Sequence, residues 1–195
     1  MLGVARRMRI PEEMVQFILR WQGKVRRYDY DQLEHCFDGF FTAFVLYNIL
    51  YDIICEHNQN QYPQTRDRWR AIEVVPDFLG ADSIATDPDI RTNASAIKEL
   101  IELTFYIKDD RWDREKINAL GSNNSEIWAK GLLEILYQIR CNTFHGHKSY
   151  QEEQKQILVP CIRILNKLNA MLIDKIAPNH RLQRTGYPRS QAPRR

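Results

Sequence analysis

At 195 residues, with 44% hydrophobic, 27% charged and 11% aromatic side chains, the chain has the length and apolar content of one globular domain with a substantial core. Eight Gly and eight Pro, with no low-complexity run before the last twenty residues, exclude collagen-like, linker-like and wholly disordered chains. The net charge of +3 is gathered at the ends: residues 1–27 and 177–195 each carry +5, leaving −7 on residues 28–176, so a uniformly basic coat for nucleic acid is excluded.

Cys36, Cys55, Cys141 and Cys161 sit in apolar or helical surroundings without a C-x-x-C spacing, so no disulfide framework is implied. The opening M-L-G-V-A-R-R-M-R-I-P lacks the uninterrupted apolar stretch of a signal peptide, and a reducing cytoplasm is the expected compartment. The longest apolar run, Phe40 to Tyr51, is broken by Thr42 and Asn48. It falls short of the roughly 18 residues needed to span a bilayer, so no membrane partner is expected.

Apolar spacing follows a helical period almost throughout, and only Val74 and Val75 hint at a strand; the expected class is all-α. Pro11 with Glu12 and Glu13 suits a first helical turn, since proline lacks the orphaned N–H and acids favour the positive dipole end. That helix is expected to reach about residue 27. A second, from about 30 to 57, is apolar on nearly all sides between Phe40 and Ile54, as at the centre of a bundle. Residues 58–66 read as a loop before a short helix around 68–75, and Pro88 and Asn93 bracket another loop. Helical spacing resumes over 94–106, followed by a charged connector, K-D-D-R-W-D-R-E-K, with room for one further turn.

Ser122, Asn123, Asn124 and Ser125 form a cluster of N-cap residues, and the helix they start is expected over 126–144, with Gly146 placed to end it. The last helix, about 150–176, contains Pro160, where a kink is expected. Residues 177–195 have no apolar period and read as a disordered basic tail, either a solubilising end or an aid to RNA capture.

One position is unusual on physical grounds. Arg140 lies inside the apolar arc formed by Trp128, Leu132, Leu133, Leu136, Ile139, Thr143 and Phe144, so a permanent cation points at packed surface. Snorkelling or pairing with a buried acid would explain it. A functional explanation comes from His145, five residues on: guanidinium presents a planar fork of donors to phosphate oxygens, and imidazole exchanges a proton near neutral pH. Five residues on a regular helix separate the two side chains by about 140°, so they converge only if the helix unwinds or a second protomer contributes one of them.

Arg140 to Ser149, R-C-N-T-F-H-G-H-K-S, resembles the arginine, four to six residues, histidine motif of the higher-eukaryote and prokaryote nucleotide-binding (HEPN) superfamily, in particular its Apea-like variant R-C-N-x-F-H-G-x-K. The flanking L-L-E-I-L-Y-Q-I and I-L-x-P-C-I-R-I-L are similar too, and Phe40 to Tyr51 resembles an aromatic-rich family helix with Asn-x-x-Tyr near its end. These blocks cover about 33–56 and 126–176, making 1–176 one domain with an unmatched insertion around 58–124. The resemblance implies an up-and-down bundle that dimerises through the motif helix, and in active members a metal-independent endoribonuclease. It implies Arg140 and His145 as the catalytic pair and Asn142 as the polar residue within the motif. Many relatives act in defence or toxin settings, so RNA, a second copy and an antitoxin or defence protein are the expected partners. Other members bind a nucleotide or a protein without cleaving, which is the alternative function.

No cofactor is expected. Cys141, His145 and His147 have a spacing that metal ligands adopt, but no second Cys/His pair stands at a conventional distance, and Cys141 reads better as a small packed residue. Asn48 and Asp52, one turn apart on an apolar helix, are expected to face one shared polar feature, either as a buried hydrogen-bonded pair or as support for Arg140. Lys148 and Tyr150 are placed to touch an RNA phosphate or base.

Overall fold

The computed structural model describes residues 8, 10–64, 66–103, 105–144 and 152–178, and among them every regular element is helical. The order is α1 (Glu12–Val25), α2 (Leu33–His57), α3 (Asp67–Trp69) continuing through a π turn (Arg70–Val74) into α4 (Val75–Leu79), α5 (Ala81–Ala85), α6 (Pro88–Leu103), α7 (Asp110–Leu120), α8 (Ser125–Phe144) and α9 (Gln154–Ile176).

The all-round apolar character of α2 makes it the centre of the packing, with Phe40, Tyr47, Leu50, Tyr51 and Ile54 fully buried. Its main neighbour is α9, with α1 on another flank; α6 packs against α9, while α5 and α7 lie on α8. A buried polar tie crosses the central pair, Asn169 Nδ2 of α9 donating to the Ala43 carbonyl of α2 at 2.9 Å. One contiguous core joins all of these helices, and residues 58–124 contribute Ile72, Val74, Val75, Ile84, Ile90 and Ile97 to it. Residues 58–124 are therefore woven into the same core as the rest.

Three local expectations are corrected. Pro88 opens α6 rather than bracketing a loop, and Asp87 Oδ1 accepts from the backbone N–H groups of Asp89 and Ile90 at 3.0 and 3.1 Å. The proline cannot donate and the aspartate satisfies the neighbouring orphan donors, which is how a helix begins. The charged connector holds three turns, α7, because Asp109 caps the N–H of Trp112 at 2.8 Å and the buried Asp113 carboxylate accepts from the N–H groups of Ile107 and Lys108 at 2.9 and 3.0 Å. Val74 and Val75 are helical, their β-branched side chains buried in the core.

Two close features set the frame of α8. Gly80, with φ of 90°, turns the chain between α4 and α5, a backbone conformation that only glycine adopts without strain. Gly131 lets α7 approach α8, since a Cβ there would lie 2.6 Å from the Cβ of Ala119. Taken over their whole length, α2 and α9 are long and apolar enough to cross a membrane, yet 67% and 61% of their apolar windows are covered within the bundle, as in core helices. The basic tail beyond residue 178 and the expected helix stop at Gly146 lie outside the described residues.

Candidate functional site

α8 starts on Asn124, whose Oδ1 accepts from the N–H groups of Glu126 and Ile127 at 2.9 and 3.1 Å. From there the expected arc is packed: Trp128, Leu132, Leu133, Leu136 and Ile139 are buried. Arg140 follows on the same arc, half-buried. Its guanidinium carbon lies 4.9 Å from the Phe144 ring centre, 5.6 Å from that of Tyr137 and 5.7 Å from that of Phe44. Tyr137 and Phe144 stand one turn before and after it on α8, and Phe44 comes from α2. The ring faces carry negative charge density, so each attracts the cation by about 0.5–2 kcal/mol depending on exposure.

Among the described residues no carboxylate is ion-paired with Arg140. Its Nε is buried without a hydrogen-bond partner among the described residues. A buried donor left in this state costs free energy, so the aromatic shelf holds the charge in place without satisfying its donors. An anion reaching the shelf would meet a pre-positioned fork.

The shelf is braced from behind by a residue to which sequence reading gave no role. Asp67, at the start of α3, accepts from Tyr137 through Oδ2 at 2.9 Å and from Tyr51 through Oδ1. Tyr51 is fully buried and edge-on to Tyr47 at 5.3 Å, Tyr47 is edge-on to Phe44 at 5.7 Å, and Phe44 reaches Arg140. Arginine, rings and carboxylate thus form a closed circuit linking α2, α3 and α8. Burial, reinforced by the bond to Asp67, pushes the Tyr137 phenol up to about 12, and burial pushes Tyr51 up as well, so both remain hydroxyl donors at neutral pH.

The other site residues divide. His145 and Lys148, together with His147 and Tyr150, lie outside the described residues. Asn142 has both ends of its amide engaged within the chain, Nδ2 donating to the Ile107 carbonyl and Oδ1 accepting from Gln138 at 2.9 Å. It fastens α8 to the connection that Asp113 holds from the other side. Asn48 and Asp52 do not form the expected pair: Asp52 binds Arg70 at 2.6 Å, and the buried Oδ1 of Asn48 has no partner among the described residues. The two stand one turn apart on the same face of α2, but Asp52 is drawn to the Arg70 guanidinium of the π turn instead.

Phe41 and Phe44 read from sequence as core residues of the long helix, which holds for Phe44 and is corrected for the 48% exposed Phe41, while Tyr137 and Asp67 received no role. The first two could have been found from the run Phe41, Phe44, Asn48, Tyr51, which marks one face of α2 at helical spacing. Asp67 carries no local signal. Clefts of 460, 440 and 570 Å³ open elsewhere, around Trp69, Tyr106 and Ile127, so Arg140 sits on a shelf outside all three. Among the described residues no group of three or more His, Cys, Asp or Glu is arranged to hold a metal ion. Compared with family models, with curated proteins and with solved structures, the chain matches none of them.

Proposed function

We propose that this chain is a metal-independent endoribonuclease of the HEPN type, acting as a homodimer in which Arg140 and His145 of two copies form a composite site. The observation that carries the reading is Arg140: a permanent cation at the last turn of α8, held by three rings, unpaired by any described acid, with a buried donor unused. The motif resemblance supplies the histidine beside it.

In this reaction the nucleophile belongs to the RNA. His145 takes the proton of a ribose 2′-OH, whose oxygen forms a bond to the adjacent phosphorus. Arg140 donates to the phosphate oxygens as negative charge grows on them in the transition state. The bond from phosphorus to the 5′ oxygen breaks, and a histidine, from the same copy or its partner, returns a proton to that oxygen. The products carry a 2′,3′-cyclic phosphate and a 5′-OH, and DNA, lacking the nucleophile, is not cut.

The test is incubation of purified protein with total RNA in EDTA, beside His145→Ala. Cleavage with cyclic-phosphate ends, lost in the variant, is expected. Activity abolished by EDTA and restored by magnesium, equal cutting of DNA, or wild-type turnover in His145→Ala would overturn the proposal. The last result would assign the cleavage to something other than this site, such as a co-purifying nuclease, and leave the chain a binding module in which Arg140 is a structural cation.

A further inference from the structure

We infer that Phe41 is a base-stacking platform, and that the surface formed by Phe41, Phe144 and Arg140 takes one nucleotide unit of single-stranded RNA, base on the ring and phosphate on the guanidinium. This rests on the ribonuclease reading and adds to it the residue that grips a base. Phe41 is 48% exposed although α2 is a core helix, so much of its ring is left open to solvent. Its ring centre is 4.9 Å from that of Phe144 at an interplanar angle of 56°, and the Phe144 ring is in turn 4.9 Å from the Arg140 guanidinium.

An exposed ring and a cation that no described acid pairs are therefore separated by a single aromatic side chain. Single-stranded nucleic acid is gripped by this pair of features, a cation for the backbone and a ring for the π-face that every base presents. The buried part of the shelf cannot serve as the platform, because the Phe44 ring is covered and the Tyr137 hydroxyl is tied to Asp67. The charge argues for nucleic acid over a purely apolar partner, since an apolar surface closing over Arg140 would strand its donors, whereas phosphate satisfies them.

The experiment measures binding of the full chain to an uncleavable 2′-O-methyl RNA 12-mer by fluorescence anisotropy across a salt series, for wild type, Phe41→Ala, Phe41→Trp and Arg140→Ala. Circular dichroism and sedimentation are run on each. Phe41→Ala is expected to weaken binding about tenfold with an unchanged salt slope, because a ring is lost and no phosphate contact is. Phe41→Trp is expected to keep wild-type affinity, and Arg140→Ala to flatten the slope. The inference is overturned if Phe41→Ala binds as wild type does, or if it dissociates a dimer without changing affinity for RNA, which would make a second copy the occupant of the ring. These results leave the ribonuclease reading standing where the wild type cuts RNA. Wild-type protein that neither binds nor cuts RNA overturns both.

Discussion

Tyr137 donates its hydroxyl to Asp67 at 2.9 Å, joining residues seventy apart in the chain, while Arg140 lies over the face of the same tyrosine ring at 5.6 Å. The carboxylate and the guanidinium thus act on one side chain from two directions. A phenol hydrogen-bonded to a carboxylate is electron-rich, and its ring attracts a cation more strongly. Asp67 in this way steadies Arg140 without touching it.

Tyr137→Phe keeps the ring and loses the bond to Asp67. The expected loss of stability is about 1–2 kcal/mol in urea unfolding, because Asp67 keeps Tyr51 as a donor. Asp67→Ala is expected to cost more, about 2–3 kcal/mol, since it leaves two tyrosine hydroxyls without their acceptor and Tyr51 is fully buried. A smaller effect for Asp67→Ala than for Tyr137→Phe would contradict the bracing role.

Burial of Tyr137, reinforced by the same contact, gives the protein an alkaline limit. Tyr137 titrates at about 12 in the folded chain against about 10 when unfolded, so between these values the folded state binds more protons. Its contribution to stability is complete below pH 10 and falls as the pH rises towards 12. Urea midpoints measured from pH 8 to 11.5 should decline, with a shallower decline in Tyr137→Phe. Identical slopes would show that the phenol is not held this way.

Arg140→Met separates charge from packing. The thioether fills the space between the Phe44, Tyr137 and Phe144 rings and removes an unsatisfied donor, so thermal stability should stay within about 1.5 kcal/mol of wild type. RNA cleavage should fall by at least about 100-fold, the usual effect of losing a donor to transition-state charge. Full activity in this variant would remove Arg140 from the chemistry.

Close approach of α7 to α8 depends on Gly131. Gly131→Ala places a methyl group 2.6 Å from the Cβ of Ala119 and is expected to destabilise the fold by about 1–3 kcal/mol. Combining it with Ala119→Gly relieves the overlap, so the double variant should be more stable than the sum of the two single changes predicts. Additive values in chemical denaturation would mean that the helices simply move apart.

Much of this was already written in local sequence. Helical periodicity gave the all-α class, the N-cap cluster at residues 122–125 located the start of α8, and the apolar arc on that helix singled out Arg140. Such features involve residues within a turn or two of each other, where spacing is geometry. The sequence also misled where charge density outweighed period: α7 looked like a connector because its caps, Asp109 and Asp113, are acids that composition alone counts as surface. Pro88 as a helix start was legible in Asp87-Pro88 but was outweighed by the reading of proline as a breaker, whereas the pairing of Asp52 with Arg70 depends on the packing of α2 against the π turn and could not be read there. Only the tertiary structure decided that Asp67, at the start of α3, would brace the tyrosine beside Arg140. A hydrogen bond between residues seventy apart leaves no periodic trace in one chain, because nothing but the packing of α2, α3 and α8 brings its two ends together.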